Sequence, residues 1–120
     1  MRWAMLVLAV VVVLAAAPAW ADFKAGVEAY ERGDYATALT EFRPVAQQGD
    51  AEAQFILGVM YSKGQGVPQD DVQAHMWLSL AAAQSKESYR KSRDILAEQM
   101  TPAQIAEAQR LAREWKPKSK

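Results

Sequence analysis

Few side chains in this sequence are of types that carry out chemistry. His75 is the only histidine and the chain has no cysteine, which excludes the usual zinc ligand sets and a thiol nucleophile. A Ser-His-Asp triad also lacks its sequence context around this histidine. A lone histidine two residues from Trp77 predicts a surface or interhelical position. We therefore expect no catalytic residue, no bound metal and no cofactor.

Two short motifs have a chemical interpretation that must be weighed against a structural one. Gly64-Gln65-Gly66 lacks the third glycine and the preceding strand of a dinucleotide-binding loop. Asp70-Asp71 lacks the further ligand positions of a calcium loop, and a helix-capping role accounts for Asp70. Acid–base catalysis by two distant carboxylates stays open at this point, although helical hairpins offer little cleft for it. The sequence predicts a protein that is not an enzyme.

The elements that carry these residues are all predicted to be helices. Alanine, leucine, glutamine and glutamate are abundant, and no alternating apolar run indicates a strand. Glycine-aspartate pairs at 33–34 and 49–50 end one helix and cap the next. The predicted fold is all-α, a short solenoid of about six helices in three hairpins, at 22–48, 51–84 and 86–115, followed by a frayed basic tail at 116–120.

The first two hairpins repeat one another. Gly26 corresponds to Gly58, and Phe42 corresponds to Leu78, with an offset that grows by the length of the glycine-rich loop. Gly64 and Gly66 are expected at positive φ, where other residues are strained. In the third hairpin the helical spacing predicts four residues facing inward: Tyr89, Ile95, Leu96 and Met100.

The second hairpin carries a recognisable pattern. Ala51-x-Ala53-x-Phe55-x-Leu57-Gly58-x-x-Tyr61-x-x-Gly64-x-Gly66-Val67-x-x-Asp70, continuing to Ala74, Trp77 and Ala81-Ala82, resembles the Sel-one-like repeat family, an α/α relative of the tetratricopeptide repeat. The first hairpin is similar to the shorter tetratricopeptide form. The third departs from the pattern because Arg93 and Asp94 stand where the repeat has Leu-Gly. We interpret it as a terminal capping hairpin.

This resemblance implies a non-catalytic adaptor whose inner face holds a peptide or another protein. In tetratricopeptide repeats the first helix of each hairpin forms the inner face. The resemblance therefore implies seven candidate partner-binding residues at the corresponding positions of this chain: Val27, Tyr30, Glu31, Glu52, Phe55, Val59 and Ser62. Tyr30 and Phe55 are equally compatible with packing between hairpins.

The N-terminus predicts export. Arg2 precedes an uncharged stretch from Trp3 to Ala17, and Pro18-Ala19-Trp20-Ala21 follows with the small residues of a cleavage site. We predict a signal peptide over 1–21, cleavage after Ala21 and a periplasmic or secreted product. An uncleaved membrane anchor is the alternative. The absence of cysteine excludes a lipid-anchored lipoprotein.

Charge is unevenly distributed along the chain. Residues 22–85 hold nine acids and four bases, a balance of −5, whereas residues 86–120 hold five acids and nine bases, a balance of +4. Nucleic acid is not expected as a partner of an exported protein with so modest a charge. The predicted partner is another protein. The rival roles are a membrane-anchored repeat protein and an accessory or inhibitor of an envelope enzyme.

Overall fold

The computed structural model describes residues 19–84 and 86–118. These residues form six helices and no strand: α1 (Ala19–Glu31), α2 (Tyr35–Gln47), α3 (Ala51–Lys63), α4 (Asp71–Ala82), α5 (Glu87–Ala97) and α6 (Pro102–Glu114). The all-α helical repeat expected from the sequence is confirmed. Most of the predicted signal peptide, and residues 119–120 of the tail, lie outside the described residues. Helix α1 begins at Ala19, earlier than the expected start of the first hairpin at residue 22.

Side-chain caps begin four of the helices. Asp34, Asp50 and Asp70 each accept the backbone N–H three residues further on. Thr101 and Gln104 form a complete capping box at α6, where each side chain bonds the backbone N–H of the other residue. These bonds satisfy amides that have no partner inside a helix, so the predicted helix starts are set locally.

A glycine lets the two helices of each of the first two hairpins pack closely. A Cβ on Gly26 in α1 would lie 2.8 Å from Phe42 Cε1 in α2. A Cβ on Gly58 in α3 would lie 2.8 Å from Leu78 Cγ in α4. Neither distance leaves room for a side chain, so the large residue of the second helix occupies the space that the glycine leaves open.

The glycine-rich loop after α3 joins the second hairpin to the first. Gly66 has φ +75°, and a Cβ there would lie 2.7 Å from the Tyr35 carbonyl oxygen. The Tyr30 hydroxyl donates to Gln65 Oε1 at 2.9 Å. The loop therefore lies against the turn between α1 and α2, and its backbone approaches too closely for any side chain at position 66.

The third unit is not the closed hairpin that the sequence predicts. Helices α5 and α6 both pack against α4 and have no comparable contact with each other. Tyr89, Leu96 and Met100 are buried as expected, but Ile95 is 67% exposed, so its predicted inward position is wrong. Periodicity placed Ile95 beside Leu96 on the apolar side of α5, but Ile95 borders an open depression between α3 and α5 and no described helix covers it.

The segment after α6 returns to the middle of the molecule. The Trp115 ring meets the buried Trp77 ring edge to face, with centroids 6.3 Å apart. The Lys118 backbone N–H then donates to the Gln47 carbonyl oxygen at 2.7 Å, at the end of α2. Residues 116–118 of the predicted basic tail are exposed, and this backbone hydrogen bond joins them to the end of α2.

Two glycines provide a matched test of the loop contact. Gly33 and Gly66 have φ values of +76° and +75°, but only Gly66 faces a neighbouring backbone, and nothing lies within 4 Å of a Cβ at Gly33. Gly33→Ala should cost only the strain of positive φ, roughly 1 to 2 kcal/mol. Gly66→Ala should cost at least about 1 kcal/mol more, because the hairpins must separate. Urea unfolding measures both, and equal losses would contradict the contact.

Candidate functional site

Five of the seven predicted partner-binding residues surround one groove between α1 and α3. The groove has a volume of about 410 Å³ and opens to solvent. Phe42 and Ile56 complete its lining, and we call this surface the α1–α3 groove. Its predicted members are Val27, Tyr30, Glu31, Phe55 and Val59.

The floor of the α1–α3 groove is aromatic and rigid. Phe42 is fully buried, and its ring meets Phe23 edge to face with centroids 5.5 Å apart. Gly26 allows this ring to lie directly against α1. A floor fixed by packing keeps the groove open without a bound partner, as expected of a largely pre-formed site.

Tyr30 and Phe55 combine the two roles that the sequence left open. Both are half-buried. The Tyr30 ring contacts Tyr35 with centroids 5.1 Å apart, while its hydroxyl bonds the glycine-rich loop. The Phe55 ring stacks on Tyr89 of α5 with centroids 4.7 Å apart. Each residue therefore packs between elements with part of its ring and lines the groove with the rest.

A second, smaller depression continues the inner face toward α5. Its volume is about 180 Å³, and it lies between the C-terminal halves of α3 and α5. Val59 lines both this α3–α5 hollow and the α1–α3 groove, and Ser62 lines the hollow alone. The exposed Ile95 also borders the hollow. The two depressions therefore meet at Val59, and the α1–α3 groove is mainly apolar whereas the α3–α5 hollow has a mixed lining.

Glu52 is the predicted residue that the structure separates from the others. It borders a shallow depression with Trp20, Phe23, Val45 and Asp50, apart from the α1–α3 groove. Its position on the first turn of α3 directs it toward the end of the hairpin. Of the four α3 positions taken from tetratricopeptide helices, Phe55, Val59 and Ser62 therefore line the groove or the hollow. Glu52 lines neither.

Sequence reasoning missed Phe42, Ile56 and Ile95 as parts of these surfaces. Phe42 and Ile95 were assigned to the core, and Ile56 follows Phe55 directly without belonging to the expected inner stripe. Gly26 carried a usable signal, because a glycine in α1 leaves space in which a large side chain of α2, here Phe42, can lie.

The residues that could do chemistry lie elsewhere. His75 is buried on α4, with Nδ1 3.3 Å from the Ser79 hydroxyl oxygen. Burial lowers the pKa of His75 below its usual value, the positive charge of Arg93 lowers it further, and Asp94 partly opposes this. Within residues 19–84 and 86–118, no three histidine, cysteine or acidic side chains are grouped to hold a metal ion. None of the six described helices has the length and apolar character needed to cross a bilayer.

Comparisons with known proteins agree with the architecture. Residues 51–86 match the model of the Sel1 repeat, which confirms the resemblance found in the second hairpin. A 65-residue stretch is 37% identical to a protein from Rhizobium leguminosarum bv. viciae named "Exopolysaccharide production negative regulator". The match covers 54% of this chain and 24% of that relative, so the chain corresponds to about a quarter of the relative's length.

The burial of His75 predicts a pH-dependent stability. Because its pKa is lower in the folded chain than the unfolded value near 6.5, the unfolded chain takes up a proton first as the pH falls. The stability that this residue contributes is complete above pH 6.5 and declines below it. Since His75 is the only histidine, its ring NMR signals give the folded pKa directly. An imidazole that titrates at or above the value in urea-unfolded protein would contradict this assignment.

Proposed function

We propose that this chain, whose middle hairpin matches the Sel1 repeat, is an exported adaptor that binds a segment of another protein along its inner face. The proposed surface consists of the α1–α3 groove and the α3–α5 hollow. The observation that carries the proposal is the mainly apolar α1–α3 groove, which is open to solvent above the buried Phe42 ring. It lies between helices of a repeat of the kind that generally mediates protein–protein contact.

The shape and charge of the inner face favour a particular kind of segment. The α1–α3 groove accepts an apolar or aromatic side chain, because Val27, Phe42 and Phe55 surround it. Glu31 stands at its edge, and Lys63 borders the hollow on the other side of Val59. A complementary segment would place a basic residue beside the first apolar anchor and an acidic residue near the second.

Export rests on the N-terminal sequence. A charged start, an uncharged stretch and small residues at a cleavage point support a periplasmic or secreted product that begins at Asp22. The alternative is a retained membrane anchor.

A regulatory use of the inner face is a more specific version of the same proposal. The Rhizobium relative is named as a negative regulator of exopolysaccharide production. Binding to an envelope enzyme, with inhibition or activation as the result, would require no catalytic group on this chain. Such a complex would copurify with an enzymatic activity, whereas a structural adaptor would not.

The experiment that tests this proposal is crosslinking and affinity purification from the envelope fraction, with the mature N-terminus sequenced from the same sample. A reproducible partner, together with Asp22 as the first residue, is expected. A chain that retains its leader would instead establish the membrane-anchored alternative. Failure to recover any partner with the intact inner face would remove the adaptor proposal.

One pair of variants distinguishes the inner face from the rest of the surface. Val59→Glu places a charge where the α1–α3 groove and the α3–α5 hollow meet, and should weaken partner binding about tenfold or more. Ala106→Glu introduces the same charge at an exposed position on α6 and should leave binding unchanged. Binding is measured by titration with the captured partner, and circular dichroism verifies that both variants fold. Equal losses in the two variants would place the binding surface elsewhere.

A further inference from the structure

The third unit contains a polar cleft that the adaptor proposal does not use. Helices α5 and α6 both pack against α4 but stay apart from each other, and the space between them has a volume of about 440 Å³. Six polar side chains from the three helices line it: His75, Ser79, Arg93, Asp94, Gln109 and Arg113. We call this space the α4–α6 cleft. It shares no lining residue with the α1–α3 groove or the α3–α5 hollow.

The departure of the third unit from the repeat pattern creates this cleft. In the second hairpin, Leu57 is fully buried and Gly58 allows α4 to pack within side-chain contact of α3. The corresponding residues of α5 are Arg93 and Asp94, whose side chains are 30% and 67% exposed. A charged pair cannot be buried as Leu-Gly is, so α6 stays apart from α5 and the same pair lines the gap that results.

The charges around the cleft favour a small anion. Arg93 is paired with Asp94 through two contacts of 3.0 Å. Arg113 also lines the cleft, and no carboxylate among the described residues forms an ion pair with it. With His75 neutral, the two arginines and one aspartate leave the lining with one net positive charge. An unpaired guanidinium at a cleft is a strong donor for a carboxylate or phosphate.

The other lining groups favour a carboxylate on a short apolar body. Ala97, Ile105 and Ala112 form an apolar wall beside the polar groups. The Ser79 hydroxyl and the Gln109 amide N–H₂ are further donors that line the cleft, and the hydroxyl oxygen lies 3.3 Å from His75 Nδ1. These donors and Arg113 match the two oxygens of a carboxylate, while the wall accepts a few carbon atoms.

We propose that the α4–α6 cleft binds a carboxylate group attached to a short aliphatic chain, with Arg113 as its main charged contact. The group could be supplied by a free organic acid or by the C-terminus of a peptide that ends in a small apolar residue. This proposal does not depend on the adaptor function, because the two surfaces have no residue in common.

His75 provides a direct reporter, since it is the only histidine and lies in the wall of the cleft. The purified protein is titrated with N-acetyl-leucine while the ring signals of His75 are followed by NMR at constant pH. Saturable shifts at millimolar concentrations are expected. N-acetyl-leucine amide, which has the same body without the carboxylate, and inorganic phosphate, which has charge without the body, should shift the signals far less.

Two arginines on α6 give a matched pair. Arg113→Gln should weaken N-acetyl-leucine binding about tenfold or more, as expected for the loss of a charge-assisted hydrogen bond. Arg110→Gln is the control, because Arg110 is paired with Glu107 and Glu114 at 2.6 Å and does not line the cleft. Absence of any saturable shift, an equal response to the amide, or equal losses in the two variants would each overturn the proposal.

A second titration identifies the source of the carboxylate. Isovalerate represents a free acid, and the tripeptide Ala-Ala-Leu with a free C-terminus represents a peptide end. Tighter binding of the tripeptide supports recognition of a peptide C-terminus, whereas equal or tighter binding of isovalerate supports a small-acid site. A tripeptide with an amidated C-terminus that bound as well as the free form would contradict the carboxylate assignment.

Discussion

The backbone contact between Gly66 and the Tyr35 carbonyl fixes the position of the second hairpin on the first. At 2.7 Å for a hypothetical Cβ, the approach excludes every side chain at position 66. The Tyr30–Gln65 hydrogen bond lies beside it and joins the same two elements. The spacing of α1 and α3, and therefore the width of the α1–α3 groove, follows from this contact. A loop that carries no chemistry of its own thus determines the geometry of the proposed binding surface.

In each of the first two hairpins a glycine faces a large side chain of the other helix and lets the two helices pack closely. The third unit has no glycine at the equivalent position. Gly26 faces Phe42 and Gly58 faces Leu78. Asp94 stands at the equivalent position of α5. The first two hairpins consequently have closely packed interfaces, and the third unit opens into a polar cleft. One repeat pattern therefore yields two kinds of surface, an apolar one on the inner face and a charged one where the pattern ends.

Local signals predicted the helices, their caps and the glycines at positive φ, because each depends on residues within a few positions of one another. The three candidate residues of α1 and two of the four on α3, Phe55 and Val59, lie beside one groove. The exposure of Ile95 and the separation of α5 from α6 could not be predicted in this way. Periodicity identifies the apolar side of a helix, but not whether a neighbouring helix comes close enough to cover it.

The contact between residues 118 and 47 limits how early during folding the complete structure can form. The hydrogen bond from Lys118 to Gln47 joins residues that are far apart in sequence, and contacts of this kind form late because a long segment must first be ordered. During synthesis, α2 and α3 leave the ribosome well before residue 118 exists. The Trp77 surface that Trp115 covers therefore stays accessible to chaperones throughout that interval.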